Sequence, residues 1–189
     1  MCGRYSLFPE ESAEILEIVR QVQERAKMGE IYPTNPVPVL MEAGEKLAPE
    51  VMAWGYPRFQ GKSGQIINAR SETALDRPMF RRSVMERRCV IPTTGFYEWG
   101  PDEEGKKRKY RFNLPGTRVL YLAGLWNNFA GEPKCVILTT AANRSMEGIH
   151  DRMPVVLRWE ELRAWVRDSG RAMEILHRVP PELEMAAVI

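Results

Sequence analysis

The chain has 189 residues, 44% of them hydrophobic and 28% charged, with a formal net charge of +2. That is enough for one compact domain, 1–189, with a full core, and the composition excludes a disordered or fibrous protein. There is neither an apolar run of membrane-span length nor a signal-peptide pattern, so no membrane partner is expected. Three widely spaced cysteines, an odd number, make neither a disulfide framework nor a metal site. They point to a reducing, cytoplasmic setting, and no metal or cofactor is expected. Of the 27 basic residues 20 are arginine, the side chain best suited to forked contacts with phosphate, which tilts weakly toward an anionic partner.

In chain order, a short strand is expected from Arg4 to Phe8. PEESAEILEIVRQVQERAKMG then reads as an amphipathic helix. Leu16, Val19, Val22 and Ala26 recur at steps of three or four, Pro9 suits its start and Gly29 its end. YPTNPVPVL is extended, because its prolines exclude helix. From there the pattern is mostly β: VMAWGY, QIINA, RCVIPTTGFYEW, KYRFNL, VLYLAGLW, KCVILTT and VVL. GPDEEGKKR is a charged hairpin turn. Helices are expected near Asn143 to Gly148 and in RWEELRAWVRDSG. The sum is an α+β fold, one domain around a curved, mostly antiparallel, barrel-like sheet with flanking helices.

Several stretches place polar groups where a strand prefers apolar ones. INARSET alternates Asn68, Arg70 and Glu72, which should share a face. GFYEWG sets Glu98 between Tyr97 and Trp99. A carboxylate among aromatics is partly desolvated, so its pKa should rise, as a general acid needs. IHDRMPVVL carries His150 and Arg152 before a buried-looking strand. Each also has a plain structural reading: Asn68 bonding a turn, Glu98 paired with a lysine of KKRKYR, His150 satisfied in place. Cys89 and Cys135 lie in apolar strands and read as inert core, and His177 as structural. RPMFRRSVMERRCV and KKRKYR are solvated faces or parts of a phosphate groove, for which Trp54 and Tyr56 are either stacking platforms or core.

Cys2 follows the initiator methionine and is small enough for Met1 to be trimmed. Trimming would place an α-amine and a thiol on one residue. With Asn68, Glu98 and His150 these groups make a plausible active-site set.

MCGRY, PTNPVPV, WGYP, INARSET, RCVIPTTGFYEW, ILTTAAN and HDRMPVVL occur in the order seen in the SRAP family, the SOS-response-associated peptidase-like proteins. The chain resembles that family from residue 2 to about residue 170, with Asn35 where many members have glutamine. The resemblance implies a covalent sensor of abasic sites in single-stranded DNA that acts in the DNA damage response. It implies that Cys2 forms a thiazolidine with the ring-opened sugar, Glu98 and His150 move protons, and Asn68 positions the amine. Arg4, Arg70 and Arg152 resemble the phosphate contacts. Trp54 and the loop around it resemble an apolar wedge against a base, and Thr139 a contact near the adduct. The family's activities are self-crosslinking, lyase-like and peptidase-like with limited turnover. A cytoplasmic monomer, nucleoid-associated when bound to DNA, is expected. The alternatives are an amide hydrolase with an N-terminal cysteine nucleophile, a non-covalent single-stranded-DNA-binding module, and a structural domain without chemistry.

Overall fold

The structure is a computed structural model that describes residues 2–58 and 63–188. Its strands are β1 (Tyr5–Leu7), β2 (Gly29–Ile31), β3 (Pro36–Ala43), β4 (Lys46–Trp54), β5 (Tyr56–Pro57), β6 (Gln65–Ile66), β7 (Asn68–Arg70), β8 (Arg88–Thr93), β9 (Gly95–Pro101), β10 (Lys107–Asn113), β11 (Leu120–Phe129), β12 (Glu132–Ala141), β13 (Arg152–Pro154), β14 (Val156–Leu157) and β15 (Glu184–Ala187). Its helices are α1 (Ala13–Arg20), α2 (Pro78–Glu86), α3 (Leu162–Arg167) and α4 (Ser169–His177).

Strands β12, β4, β3, β8 and β11 close into a barrel, since β11 pairs back onto β12. All of its pairings are antiparallel except β4 on β12. β7 continues the parallel run beside β12, with Asn68 opposite Ile137 and Arg70 opposite Thr139. A second sheet has the order β15-β10-β9-β1-β2. The α+β reading with a curved, mostly antiparallel barrel holds.

RCVIPTTGFYEW, expected as one strand, is two. It breaks at Thr94, so β8 belongs to the barrel and β9 to the second sheet. Gly95 makes the break possible. Its φ is +145°, and a Cβ there would lie 2.2 Å from the Asn113 side chain. Only glycine takes that backbone and that contact together. The break aims β9, and Glu98 with it, across the start of the chain.

The first helix is shorter than its pattern. Ser12 caps it by accepting from the Ile15 N–H, and it ends at Arg20 in turns. Ile15, Val19 and Val22 are the buried positions, whereas Leu16 is 36% exposed. The Asn143–Gly148 helix shrinks to a 3-10 turn, Arg144–Met146. RWEELRAWVRDSG becomes a 3-10 turn, Trp159–Glu161, followed by α3.

The basic run RPMFRRSVMERRCV contains α2, begun by Pro78 and burying Phe80, Ser83 and Val84. Arg81 and Arg82 are its solvated face. Arg88 is buried, and its guanidinium donates to the carbonyls of Trp165 (2.6 Å), Val84 (2.7 Å), Met85 (2.6 Å) and Val166 (3.0 Å). One cation thus satisfies the open carbonyl ends of α2 and α3 and joins them.

Candidate active site

The second sheet and the barrel meet at the start of the chain. The Tyr97 N–H donates to the Arg4 carbonyl at 2.9 Å, and β1 pairs Tyr5 with Phe96. This lays residues 2–4 between β9 and β7. Cys2 is fully buried, and its thiol approaches the Arg4 carbonyl at 3.8 Å. From the barrel side, the Asn68 Nδ2 donates to the Cys2 carbonyl at 3.0 Å. The Asn68 Oδ1 is buried with no protein donor, an open acceptor beside Cys2.

Glu98 closes the site from β9 and is 7% exposed. Burial raises its carboxyl above the usual range, and the charge of His150 pulls the other way. Burial also pushes the Cys2 thiol up, and the Glu98 charge adds to that shift. The direction expected for Glu98 is right, but the flanking aromatics are not the cause. Strand alternation puts Tyr97 and Trp99 on the opposite face of β9. Glu98 is desolvated by the packed start of the chain.

His150 comes from the turn before β13. That turn seats Ile149 on Gly100, where a Cβ would lie 2.5 Å from the Ile149 Cδ1. Gly100 lies two residues beyond Glu98 on the same face, so the missing side chain sets the turn's distance from the carboxyl. The His150 Nδ1 faces the Arg152 N–H at 3.0 Å and the Asp151 carboxylate at 2.7 Å. These contacts are alternatives. A bare Nδ1 accepts from the N–H, and a protonated Nδ1 donates to the carboxylate. Cys2, Asn68, Glu98 and His150, far apart in sequence, come together.

The arginines divide. Arg70 is exposed at the end of β7. The Arg152 guanidinium donates to both oxygens of Glu72 (2.7 and 2.9 Å) and to the Thr139 carbonyl (2.7 Å). Glu72 is held down at about 2, chiefly by that hydrogen-bonded pair. The alternation expected for INARSET stops at Arg70, where the chain turns, yet Glu72 still serves the site through Arg152.

Trp54 and Thr139, expected near the DNA, are both buried. Trp54 has no exposed surface. It packs on Tyr5 at 5.2 Å between ring centroids, and its indole N–H donates to the Ile67 carbonyl at 3.0 Å. It is a barrel core residue with no face for a base. The rest of the loop after it, residues 59–62, lies outside the described residues, as does Met1. Thr139 is also fully buried, and its carbonyl accepts from Arg152. Tyr56, Cys89 and Cys135 are core. His177 ends α4, with its Nδ1 2.7 Å from the Met173 carbonyl.

The face of β9 opposite Glu98 carries the expected Arg4 together with groups that sequence reasoning missed. The Arg4 guanidinium lies 4.3 Å from the Tyr32 ring centroid and 4.8 Å from that of Trp99. The Lys109 ammonium sits 4.0 Å over Tyr97. Glu30 holds both cations, Arg4 at 3.6 Å and Lys109 in a close ion pair. Tyr32 is 42% exposed and Trp99 partly so. The signal in the sequence was the i, i+2 aromatic pair around Glu98 opposite the alternating cations of KKRKYR, which becomes legible once β9 and β10 are paired.

A buried cysteine at residue 2 enclosed by an amide, a buried acid and an imidazole, on a five-stranded barrel, defines the class. The chain belongs to the SOS response associated peptidase (SRAP) family, whose sequence profile matches residues 1–189. It is 34% identical over 187 residues to the abasic site processing protein YoqW of Bacillus subtilis, covering 90% of this chain and 82% of that one. It is 29% identical over 142 residues to the abasic site processing protein YedK of Escherichia coli, covering 74% and 64%. A crystal structure of a protein from Bacteroides thetaiotaomicron superposes with a TM-score of 0.79 at 21% identity, covering 100% of this chain and 92% of that one, a likeness of fold.

Proposed function

We propose that this protein senses abasic sites in single-stranded DNA and caps them covalently through Cys2 once Met1 is removed. The observation that carries the reading is the enclosure of Cys2 by Asn68, Glu98 and His150. The names of the relatives, abasic site processing proteins, support the same lesion.

The α-amine of Cys2 attacks the aldehyde of the ring-opened sugar. The carbinolamine loses water to give an imine. The thiol then adds across C=N: a C–S bond forms, the thiol proton passes to nitrogen, and a five-membered thiazolidine closes. One water leaves overall. An α-amine has a pKa of roughly 7.7–8.0, so a useful fraction is neutral at cellular pH. The second bond is intramolecular and gains from proximity. Glu98, whose carboxyl burial raises, gives a proton to the departing hydroxyl and opens the sugar ring. His150 assists that transfer. The open Oδ1 of Asn68 accepts from the amine and holds it in line.

The amine-first order needs no resting thiolate, unlike a hydrolase that attacks with one. Arg70 and Arg152 contact phosphates. Arg4, whose guanidinium covers the Tyr32 and Trp99 rings, adds a third phosphate contact. The chain acts as one domain, 1–189, and as a monomer, in the cytoplasm and on the nucleoid when bound. Self-crosslinking limits turnover, and lyase-like release reverses the same proton transfers.

The test is intact mass before and after incubation with an oligonucleotide carrying one abasic site. The expected product is trimmed protein plus DNA less one water, stable to heat and denaturant. A properly trimmed protein that gives no such product rejects the reading, and hydrolysis of amides by the same thiol is then assayed.

A further inference from the structure

A groove lies away from Cys2, between α1, the outer end of the β3–β4 hairpin and residues 157–163, and shares no residue with the site. Its volume is about 650 Å³, with an apolar floor of Ile18, Leu40, Leu47, Pro49, Trp159 and Leu162. Trp159 is 67% exposed, the most open aromatic among the exposed large side chains of the described residues. It also borders a second cavity of about 680 Å³ with Tyr121, Val119 and Leu114, so it stands as a ridge between two hollows. The ridge is fixed. Its ring lies 5.9 Å from that of Tyr121. The 3-10 turn that carries it is clamped by Glu161, which accepts from the Arg158 N–H at 2.8 Å and pairs with Arg178.

An apolar hollow with a rigid, open tryptophan is a surface shaped for a partner. The rim says which kind. Glu14, Glu17, Glu45 and Glu160 border the first hollow, against Lys46 and Arg163, with Arg20 beside Glu17 at 3.5 Å. A chain of net charge +2 therefore presents its apolar groove in an acidic frame. DNA is repelled there. We propose that this groove docks a basic, amphipathic helical segment of a partner protein, with apolar side chains set on either side of Trp159 and lysines or arginines against the glutamates.

The probe is a helical peptide of leucine and lysine, about 15 residues long so that it holds a helix, with a twin in which glutamate replaces lysine. The indole N–H signals of the labelled protein are followed by NMR, with that of Trp159 assigned by its loss in Trp159→Phe. The expected result is a saturable shift of the Trp159 signal with the lysine peptide alone. Affinity should fall about tenfold or more in Trp159→Ala and in the double variant Glu17→Lys/Glu45→Lys. Crosslinking to an abasic oligonucleotide should be unchanged in both. Four outcomes overturn the proposal: an unmoved Trp159 signal, equal binding of the glutamate twin, full affinity in both variants, or a Trp159-dependent dimer in sedimentation without peptide. A Trp159 shift caused by single-stranded DNA would reassign the groove to nucleic acid and overturn it equally.

Discussion

The side-chain amide of Asn68 donates to the main-chain carbonyl of Cys2 across 3.0 Å. Asn68 stands on β7, which runs parallel to β12 of the barrel. The bond therefore ties the start of the chain, ordinarily the least ordered part of a protein, to a strand paired with the barrel. A nucleophile on a terminus needs such a tie.

Asn68→Ala should thus act on rate more than on stability. A lost hydrogen bond costs about 1 kcal/mol, whereas a nucleophile displaced by about 1 Å loses about a hundredfold in rate. Thermal unfolding and the rate of adduct formation separate the two. A rate equal to that of the unmodified protein would show that Asn68 does not position Cys2.

Cys2→Ser keeps the α-amine and replaces the thiol. It should form an imine that water reverses and that reduction traps. A serine adduct stable to denaturant without reduction would sink the thiazolidine.

Glu98→Gln should slow both formation and release of the adduct, by 10²-fold or more if the carboxyl is the general acid. The same substitution has a pH signature. The Glu98 carboxyl is raised on folding by burial, so the folded protein holds its proton more tightly than the unfolded chain. The stability this adds is complete below the unfolded carboxyl value. It is lost as pH rises through the folded one. The stability of the unmodified protein relative to Glu98→Gln should therefore decline across that window, as read by paired unfolding curves at several pH values. A difference that rises with pH would contradict the burial of the acid.

The same residues show how far sequence carries. Asn68, Glu98 and His150 were legible because each is a polar group inside an otherwise apolar or proline-stopped stretch, Cys2 because it follows Met1, and all four because seven motifs stood in a known order. The barrel was legible as alternating strands. Its closure was not, since it depends on β4 running parallel to β12, a contact that leaves no local pattern. The run ending in Arg88 looked like a basic face because charge is counted along the chain, whereas burial is decided by which carbonyls lie nearby. Trp54 looked like a wedge from its neighbours, but two strands and Tyr5 enclose it.

Arg88→Met should be among the most damaging changes outside the site. The guanidinium donates to four main-chain carbonyls, and its removal leaves the ends of α2 and α3 without those donors. A loss of about 3 kcal/mol or more is expected from the unsatisfied buried acceptors. Denaturant unfolding measures it. A loss under about 1 kcal/mol would mean that water replaces the cation freely.

Arg152 is poised differently, because its charge is already matched by Glu72 through two hydrogen bonds. If it serves as a phosphate contact, an incoming phosphate must share the guanidinium with Glu72, and the pair becomes a triad. Arg152→Ala should then weaken binding to single-stranded DNA and reduce the salt slope by about one. Glu72→Gln removes the competing charge but keeps a hydrogen-bonding partner, so it should preserve the slope and tighten binding. Arg70, exposed and not shared in this way, should behave as a simple contact. Salt titrations of the three variants decide between these roles. An Arg152→Ala slope equal to that of the unmodified protein would make Arg152 a structural brace between Glu72 and Thr139, with the phosphate role left to Arg70 and Arg4.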